Sequence, residues 1–268
     1  MLSELPVGVF DSGVGGLTVA REIFHQLPGE RILYFGDTAH VPYGPRPAAD
    51  LIALADEIVG FMVSRGVKAV VDACNSTSAV ALEYLQQKYP VPILGVIEPG
   101  VGAALKATVN GRVGVIGTEA TINSGAHLKT ARGLNPEVKL YSQPCPMFVP
   151  LVEQGELDSR HTRQVAGEYL DPLLNAGIDT LIMGCTHYPY LAPVIQEIMG
   201  PGVKLIDPAL DTVKQLKALL REKGLLNPHK PKQEHQYFVS GEMEAFQQVG
   251  AKLLGEYLLG PVSHVKLR

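Results

Sequence analysis

The chain has no CxxC pair, no run of five basic residues and no stretch of 18 apolar residues. The first absence argues against a zinc site built on paired cysteines. The second makes nucleic acid and anionic membrane poor partners, and net charge is −4. The third argues against a membrane-spanning helix. The opening MLSELPVGVF lacks a basic start and a long apolar run, so no signal peptide is expected and the cytoplasm is the expected compartment. Cysteine is scarce, with three residues, Cys74, Cys145 and Cys185, and an odd number at wide spacing is a poor disulfide framework. In a reducing cytosol all three are expected as thiols. Cys145, between Pro144 and Pro146, reads as a small buried hydrophobe. Nucleotide-binding loops are missing too. Asp11-Ser12-Gly13-Val14-Gly15-Gly16 is followed by no Lys-Ser/Thr, and a GxGxxG count from Gly13 lands on Thr18. From Gly100 the same count meets Leu105.

What is present is alternation. Val/Ile/Leu-rich runs at 6–10, 31–35, 67–72, 92–97, 112–117, 138–142, 178–183 and 203–206 read as strands. Amphipathic stretches such as 17–27, 47–65, 78–88, 160–176 and 189–199 read as helices between them. The pattern predicts an α/β fold of mostly parallel sheet flanked by helices, with ligands bound beyond the carboxyl ends of the strands. Four segment pairs repeat in order. Val7–Asp11 resembles 113–117, Leu33-Tyr34 resembles Leu140-Tyr141, 66–74 resembles 177–185, and Ile97-Glu98-Pro99 resembles Ile206-Asp207-Pro208. Two copies are too few for a solenoid. Two pseudo-symmetric lobes are expected, with the active site in the cleft between them: 1–97 plus 209–268 as one, 98–208 as the other. The tail does not repeat. It offers a helix (211–223), a polar linker (224–235), a strand (236–240), a helix (242–255) and a last strand (262–267), expected to pack back on the first lobe.

The third pair carries the chemistry. Each copy ends a buried-looking strand in a cysteine followed by polar residues: Cys74-Asn75-Ser76-Thr77-Ser78 and Cys185-Thr186-His187-Tyr188-Pro189. Each cysteine is expected just before a helix N-terminus, where unpaired N–H groups stabilise a thiolate and present donors to a carboxylate. Racemisation needs one group to take the α-proton from one face and another to deliver a proton to the opposite face. A thiol of pKa ~8.5 serves as acid or base near neutrality. The plainer alternative is two core cysteines at strand ends, which matched placement and polar neighbours disfavour. Asp11 reads equally as a helix cap or a functional carboxylate. The loop 37–44, with Tyr43 and Gly44, is placed where a lid or binding loop belongs. Thr118 and Thr121 either bind carboxylate or cap a helix. Glu153 is a candidate substrate-binding residue for which surface charge is the plainer alternative, and His187 reads as a group that polarises the Cys185 thiol or the substrate.

Asp-Ser-Gly-Val-Gly-Gly-Leu-Thr-Val (11–19), Pro-Tyr-Gly (42–44), Ala-Cys-Asn (73–75) and Gly-Cys-Thr-His-Tyr-Pro (184–189) together resemble the signatures of the bacterial glutamate racemases, in the aspartate/glutamate racemase superfamily. The similarity is collinear from about residue 7 to 208. It implies interconversion of L- and D-glutamate without pyridoxal phosphate or metal, supplying D-glutamate for peptidoglycan. It implies Cys74 as the base toward D-glutamate and Cys185 toward L-glutamate, assisted by Asp11 and His187. Ser12, Tyr43, Gly44, Asn75, Ser76, Thr186 and His187 would hold the carboxylates and amine, and a homodimer is common in the family. One departure stands out. The family usually has Thr after Cys-Asn and then a small residue, where this chain has Ser76 and Thr77, so either hydroxyl is open as the contact. Some members are activated by a cell-wall precursor through an N-terminal extension, a form of control not expected with Asp11 so near the start.

Other superfamily activities compete: aspartate or hydantoin racemisation, or a single-thiol decarboxylation that the second cysteine disfavours. A two-lobed periplasmic-type binding protein is the alternative from another class, but it has no use for matched thiols. None of the four polar strand-end motifs contains a lysine that could form a Schiff base. Racemisation is therefore expected to keep its full rate after exhaustive dialysis against chelator and hydroxylamine. Loss of rate that pyridoxal phosphate restores is the contrary result.

Overall fold

A computed structural model of the chain describes residues 2–229, 234–254 and 261–267. The elements in order are β1 (Val7–Asp11), α1 (Leu17–Gln26), β2 (Ile32–Gly36), α2 (Ala48–Ser64), β3 (Ala69–Asp72), α3 (Asn75–Val80), α4 (Leu82–Lys88) and β4 (Ile93–Gly95). They continue with α5 (Ile97–Ala107), β5 (Arg112–Gly117), α6 (Glu119–Asn123), α7 (Ala126–Leu134), β6 (Lys139–Pro144), α8 (Phe148–Glu153), α9 (Arg160–Asn175), β7 (Thr180–Gly184), α10 (Ala192–Met199) and β8 (Lys204–Ile206). The tail supplies α11 (Pro208–Glu222), β9 (Gln236–Val239), α12 (Met243–Leu254) and β10 (Val262–His264). Two compact units result, residues 1–96 with 209–268, and residues 97–208.

The first unit holds a six-stranded sheet in the order β10-β9-β2-β1-β3-β4, and the second a four-stranded sheet in the order β6-β5-β7-β8. Every pairing is parallel. The α/β class with mostly parallel sheets flanked by helices is thus the observed one. All five residues of β1 are buried, as are all five of β2, because helices cover both faces of the sheet. Val7, Val9, Tyr34 and Val71 join Ile23 of α1 and Val213 of α11 in one apolar layer. Phe10, Leu33, Phe35 and Val70 join Ile58 and Met62 of α2 in the other. In the second unit Ile116, Leu181 and Met183 join Leu170 of α9 and Ile195 of α10.

Register tests the repeat residue by residue. Phe10 stands opposite Asp72, and Ile116 opposite Met183, so the matches of β1 with β5 and of β3 with β7 hold in space. The other two slip. Gly8 stands opposite Leu33 but Gly114 opposite Tyr141, so Leu33 corresponds to Tyr141 and not to Leu140. Val70 pairs with Ile93 and Leu181 with Leu205, so Ile206 corresponds to Leu94. Ile97 instead opens α5. Short apolar runs look alike at neighbouring offsets, and only the hydrogen-bonded ladder distinguishes them.

All eight strands expected before the tail form, with ends shifted by up to two residues. The expected helix 78–88 starts earlier and breaks at Ala81 into α3 and α4. The expected helix 189–199 is a 3-10 turn (Tyr188–Leu191) leading into α10, with Pro189 and Pro193 supplying no N–H to a longer ladder. Helices α5, α6, α7 and α8 have no counterpart in the strand-and-helix reading. In α5 the glycines at 100 and 102 depress helix propensity. Gly100 packs tightly, since a Cβ there would lie 3.0 Å from Pro208 Cγ. In the tail, the expected linker residues 230–233 and the helix end at 255 lie outside the described residues, and the last strand is shorter than expected. Among the described residues no helix is long and apolar enough to cross a membrane.

At the amino end of the first sheet a buried ion pair joins Lys68 to Glu30. Lys68 Nζ also donates to the carbonyls of Ser3 at 2.6 Å and Leu225 at 2.9 Å, and the Asn227 N–H donates to Glu30 Oε1 at 2.8 Å. Lys68→Met would leave the Glu30 charge buried without its cation, and is expected to cost about 3–5 kcal/mol in urea denaturation. Adding Glu30→Gln to Lys68→Met should recover part of that loss. A single-variant cost below ~1 kcal/mol would mean that water reaches Glu30.

Candidate active site

In a parallel sheet every strand delivers its carboxyl end to one edge, and the polar residues collect there. Asp11 ends β1. Its Oδ2 accepts the N–H groups of Gly13 at 3.1 Å and Gly16 at 3.0 Å, and the side chain is fully buried. Tyr34 donates its hydroxyl to the Gly13 carbonyl at 2.7 Å, closing the same turn. Gly16 must be glycine, since a Cβ would sit 2.5 Å from Asp11 Cβ and 2.9 Å from the Tyr34 oxygen. One Asp11 oxygen therefore secures the entry to α1, as the capping alternative required, although Gly16 occupies the cap position itself. Ser12 is half-buried in this turn.

Asp37 follows β2. It accepts the hydroxyls of Tyr43 at 2.5 Å and Ser240 at 2.5 Å, and its Oδ1 lies 2.8 Å from His40 Nδ1. Burial, then the Asp37 carboxylate, pushes the Tyr43 phenol far above its ordinary value, so Tyr43 keeps its proton and donates it to Asp37. The loop through Gly44 is thereby tied to the tail, where Ser240 directly follows β9. Sequence reading placed the loop but missed Ser240, which lies 203 positions from Asp37.

Cys74 is the cap residue of α3 and is almost buried. Its N–H donates to Asp72 Oδ1 at 3.1 Å. Thr77 donates its hydroxyl to the same Asp72 oxygen at 2.6 Å and also lies 3.2 Å from the Cys74 carbonyl. The Thr77 hydroxyl thus donates within the protein. Asn75 is buried and its Oδ1 has no hydrogen-bond partner among the described residues.

In the second unit Thr118 caps α6. Its Oγ1 accepts the Thr121 N–H at 3.3 Å and lies 3.0 Å from the Thr121 hydroxyl, so the capping alternative is realised. Cys145 is fully buried in the apolar cluster, as expected, and burial pushes its thiol up. Cys185 follows Gly184, the end of β7, where a Cβ would meet the Ile116 carbonyl oxygen at 2.7 Å. Cys185 Sγ lies 3.9 Å from His187 Nδ1, and His187 Nε2 lies 3.6 Å from Glu153 Oε1 at the end of α8. Glu153, a binding candidate for which surface charge was the plainer alternative, is half exposed and faces the histidine. Thr186 is buried between the two functional side chains in sequence.

The two thiols stand two residues beyond Asp72 and Met183, which occupy equivalent register positions. Their surroundings differ from the expectation of matched helix N-termini. Cys74 leads directly into α3, but a turn separates Cys185 from the 3-10 segment, so oriented backbone N–H groups are a weaker resource there and His187 is the nearby polar group. Asp72 was missed although it breaks the apolar pattern of Ala69-Val70-Val71.

A duplicated parallel sheet with a thiol at the matching strand end of each copy is the frame of an amino-acid racemase that works from side chains. Residues 8–216 match the model of the Asp/Glu/Hydantoin racemase family, and the chain belongs to that family. It is an isomerase. A glutamate racemase from Geobacter metallireducens is 48% identical over 261 residues, 97% of this chain and 96% of that protein. Among solved structures, a glutamate racemase isoform from Bacillus anthracis has a TM-score of 0.94 at 40% identity and covers 98% of each chain. The glutamate racemase of Francisella tularensis, solved in complex with D-glutamate, has a TM-score of 0.92 at 38% identity, covering 99% of this chain and 98% of that one.

His127 of α7 lies beneath the Cys185 strand end, its Cε1 3.5 Å from the position a Gly184 Cβ would take. Both ring nitrogens are buried with no hydrogen-bond partner among the described residues, and desolvation lowers its pKa to about 4. The fold holds this imidazole neutral while the unfolded chain protonates it near ~6.5. Its contribution is therefore complete above that pH and lost as pH falls toward 4. Between pH 7 and 5 the protein should lose about 2 kcal/mol more stability than His127→Phe, measured by urea denaturation. Equal losses would show that the folded imidazole takes up a proton as readily as the unfolded one.

Proposed function

We propose that this racemase interconverts L- and D-glutamate with Cys74 and Cys185 as its two bases, and supplies D-glutamate for peptidoglycan. The observation that carries the reading is the pair of near-buried thiols at equivalent strand ends, one per unit. The near full-length likeness to glutamate racemases supports the choice of substrate. One cysteine enters as thiolate and takes the α-proton from one face. The other enters as thiol and gives its proton to the carbanion from the opposite face, so the carbon inverts and the two sulfurs exchange protonation states. Cys185 acts as base toward L-glutamate and Cys74 toward D-glutamate.

His187 assists Cys185, with Glu153 facing its other nitrogen and orienting the ring. Asp11 assists at Cys74. Ser12, Tyr43, Gly44, Asn75, Ser76 and Thr186 serve the carboxylates and the amine, with Thr118 and Thr121 adding hydroxyls at the end of β5. Glutamate is preferred over aspartate, because a shorter acid leaves buried donors unpaired at about 1–3 kcal/mol each.

In heavy water, L-glutamate should yield D-glutamate carrying deuterium at Cα, while L-glutamate recovered early stays protonated. Cys74→Ala and Cys185→Ala should each abolish racemisation in both directions, since each direction needs an acid and a base. Aspartate should turn over at a small fraction of the glutamate kcat/KM. Product that retains the original proton, or an alanine variant racemising at a near-normal rate, would show that a single base acts.

A further inference from the structure

We propose that Asp72 is a positioning residue for the Cys74 thiol, holding the turn that carries it as an uncharged acid, with no counterpart in the second unit. The inference rests on the reading of Cys74 as a catalytic thiol. Asp72 ends β3, fully buried, with Phe10 opposite it on β1 and Gly95 opposite it on β4. Val70, two residues earlier on the same face, lies in the apolar cluster with Phe10 and Ile93. One oxygen, Oδ1, accepts from the Cys74 N–H at 3.1 Å and the Thr77 hydroxyl at 2.6 Å. The Asp72 carbonyl accepts the Ser78 hydroxyl at 3.1 Å, so both ends of the residue grip the first turn of α3. The other oxygen, Oδ2, is buried with no partner among the described residues.

An ionised carboxylate has about four acceptor sites to satisfy, and burying it with an idle oxygen is costly. A carboxylic acid with its proton on Oδ2 leaves Oδ1 free to accept both bonds. Burial raises the Asp72 pKa well above the ordinary range, and Asp11 on β1 pushes the same way. The bonds from Thr77, Ser78 and Cys74 pull it down. The groups that face it are thus Asp11 on β1, Cys74 beyond β3, and Thr77 and Ser78 on α3, while β4 brings only Gly95. None of these is a cation. The neutral state matters for chemistry, because an Asp72 anion would oppose a thiolate on Cys74 two residues away. In the second unit the equivalent position is Met183, which accepts nothing, and Cys185 has His187 beside it instead. The two thiols therefore sit in equivalent places by different means. Thr77, the residue bulkier than expected after Cys-Asn-Ser, is the donor that makes Asp72 tolerable there.

Asp72→Asn keeps the accepting oxygen and cannot ionise. Asp72→Leu keeps the branching at Cγ and removes the acceptor. Alkylation of Cys74 and Cys185 by iodoacetamide, followed separately by peptide mass spectrometry across pH, reads each thiol without substrate. Kinetics in both directions give kcat and KM. For Asp72→Asn, the Cys74 alkylation midpoint should stay within about half a pH unit of the parent and kcat within about threefold. For Asp72→Leu, the Cys74 midpoint should move by more than about half a unit and kcat fall by about tenfold or more with KM little changed, while Cys185 alkylation stays as in the parent. A midpoint lowered beyond half a unit by Asp72→Asn would mean an ionised Asp72 and overturn the proposal. So would an Asp72→Leu variant with an unchanged Cys74 profile and kcat, or one that shifts both cysteines alike. Because alkylation needs no turnover, a parent protein that failed to racemise glutamate would sink the functional reading and leave this result distinct.

Discussion

The parallel pairing of one central strand with its crossover neighbour sets the position of every candidate functional group. Phe10 opposite Asp72 in the first unit, and Ile116 opposite Met183 in the second, fix how far each cysteine projects beyond the sheet. A parallel strand must return through a crossover on one side, so the loops that leave β1, β2 and β3 all gather at the carboxyl edge. A slip of one residue in either pairing would turn the alternating side chains to the wrong face and carry the thiol with them. The close glycine contacts belong to the same constraint. Gly16 and Gly184 stand where backbone and side chains approach too closely for any Cβ.

On that common frame the two copies have diverged in a consistent direction. Where the first has Asp11 the second has Gly117, and Met183 stands in place of Asp72. The first copy thus places buried carboxyl groups at these strand ends, with Asp72 holding the thiol turn and Asp11 the entry to α1. The second holds apolar or backbone contacts at those places and brings charge from outside the strand ends, through His187 and Glu153. The tail adds to the difference. By pairing β9 with β2 it turns an edge strand into an interior one, and it delivers Ser240 to Asp37. In the second unit β6 remains an edge, and none of its residues is fully buried.

Buried polar groups are expensive unless satisfied, and the pattern of satisfaction separates structure from chemistry. At the amino edge of the first sheet, Lys68 and Glu30 satisfy each other and bind chain ends together. At the carboxyl edge several atoms are left over, including Asp72 Oδ2, Asn75 Oδ1 and both His127 nitrogens. Such deficits survive where the surrounding structure over-determines them, and they cluster at functional sites.

Local pattern determined much of this protein. Runs of β-branched residues between amphipathic stretches specify parallel α/β structure, because strands buried on both faces tolerate nothing else. Polar residues straight after such runs mark the carboxyl edge, where ligands bind in sheets of this kind, and two cysteines recur at matching strand ends. Tertiary structure alone decided the rest. Apolar runs read equally well at adjacent offsets, so the true correspondence of Leu33 and of Ile206 emerged only from the ladder. Spacing gave no sign of the bond from Thr77 to Asp72, which forms only once the end of β3 meets α3. Surface charge was the plainer reading of Glu153, and only the fold brings α8 beside His187, while Ser240 had no signal at all. Hydrogen bonds between residues far apart in the chain leave no periodicity to read. They exist only once the sheet has brought its strand ends together.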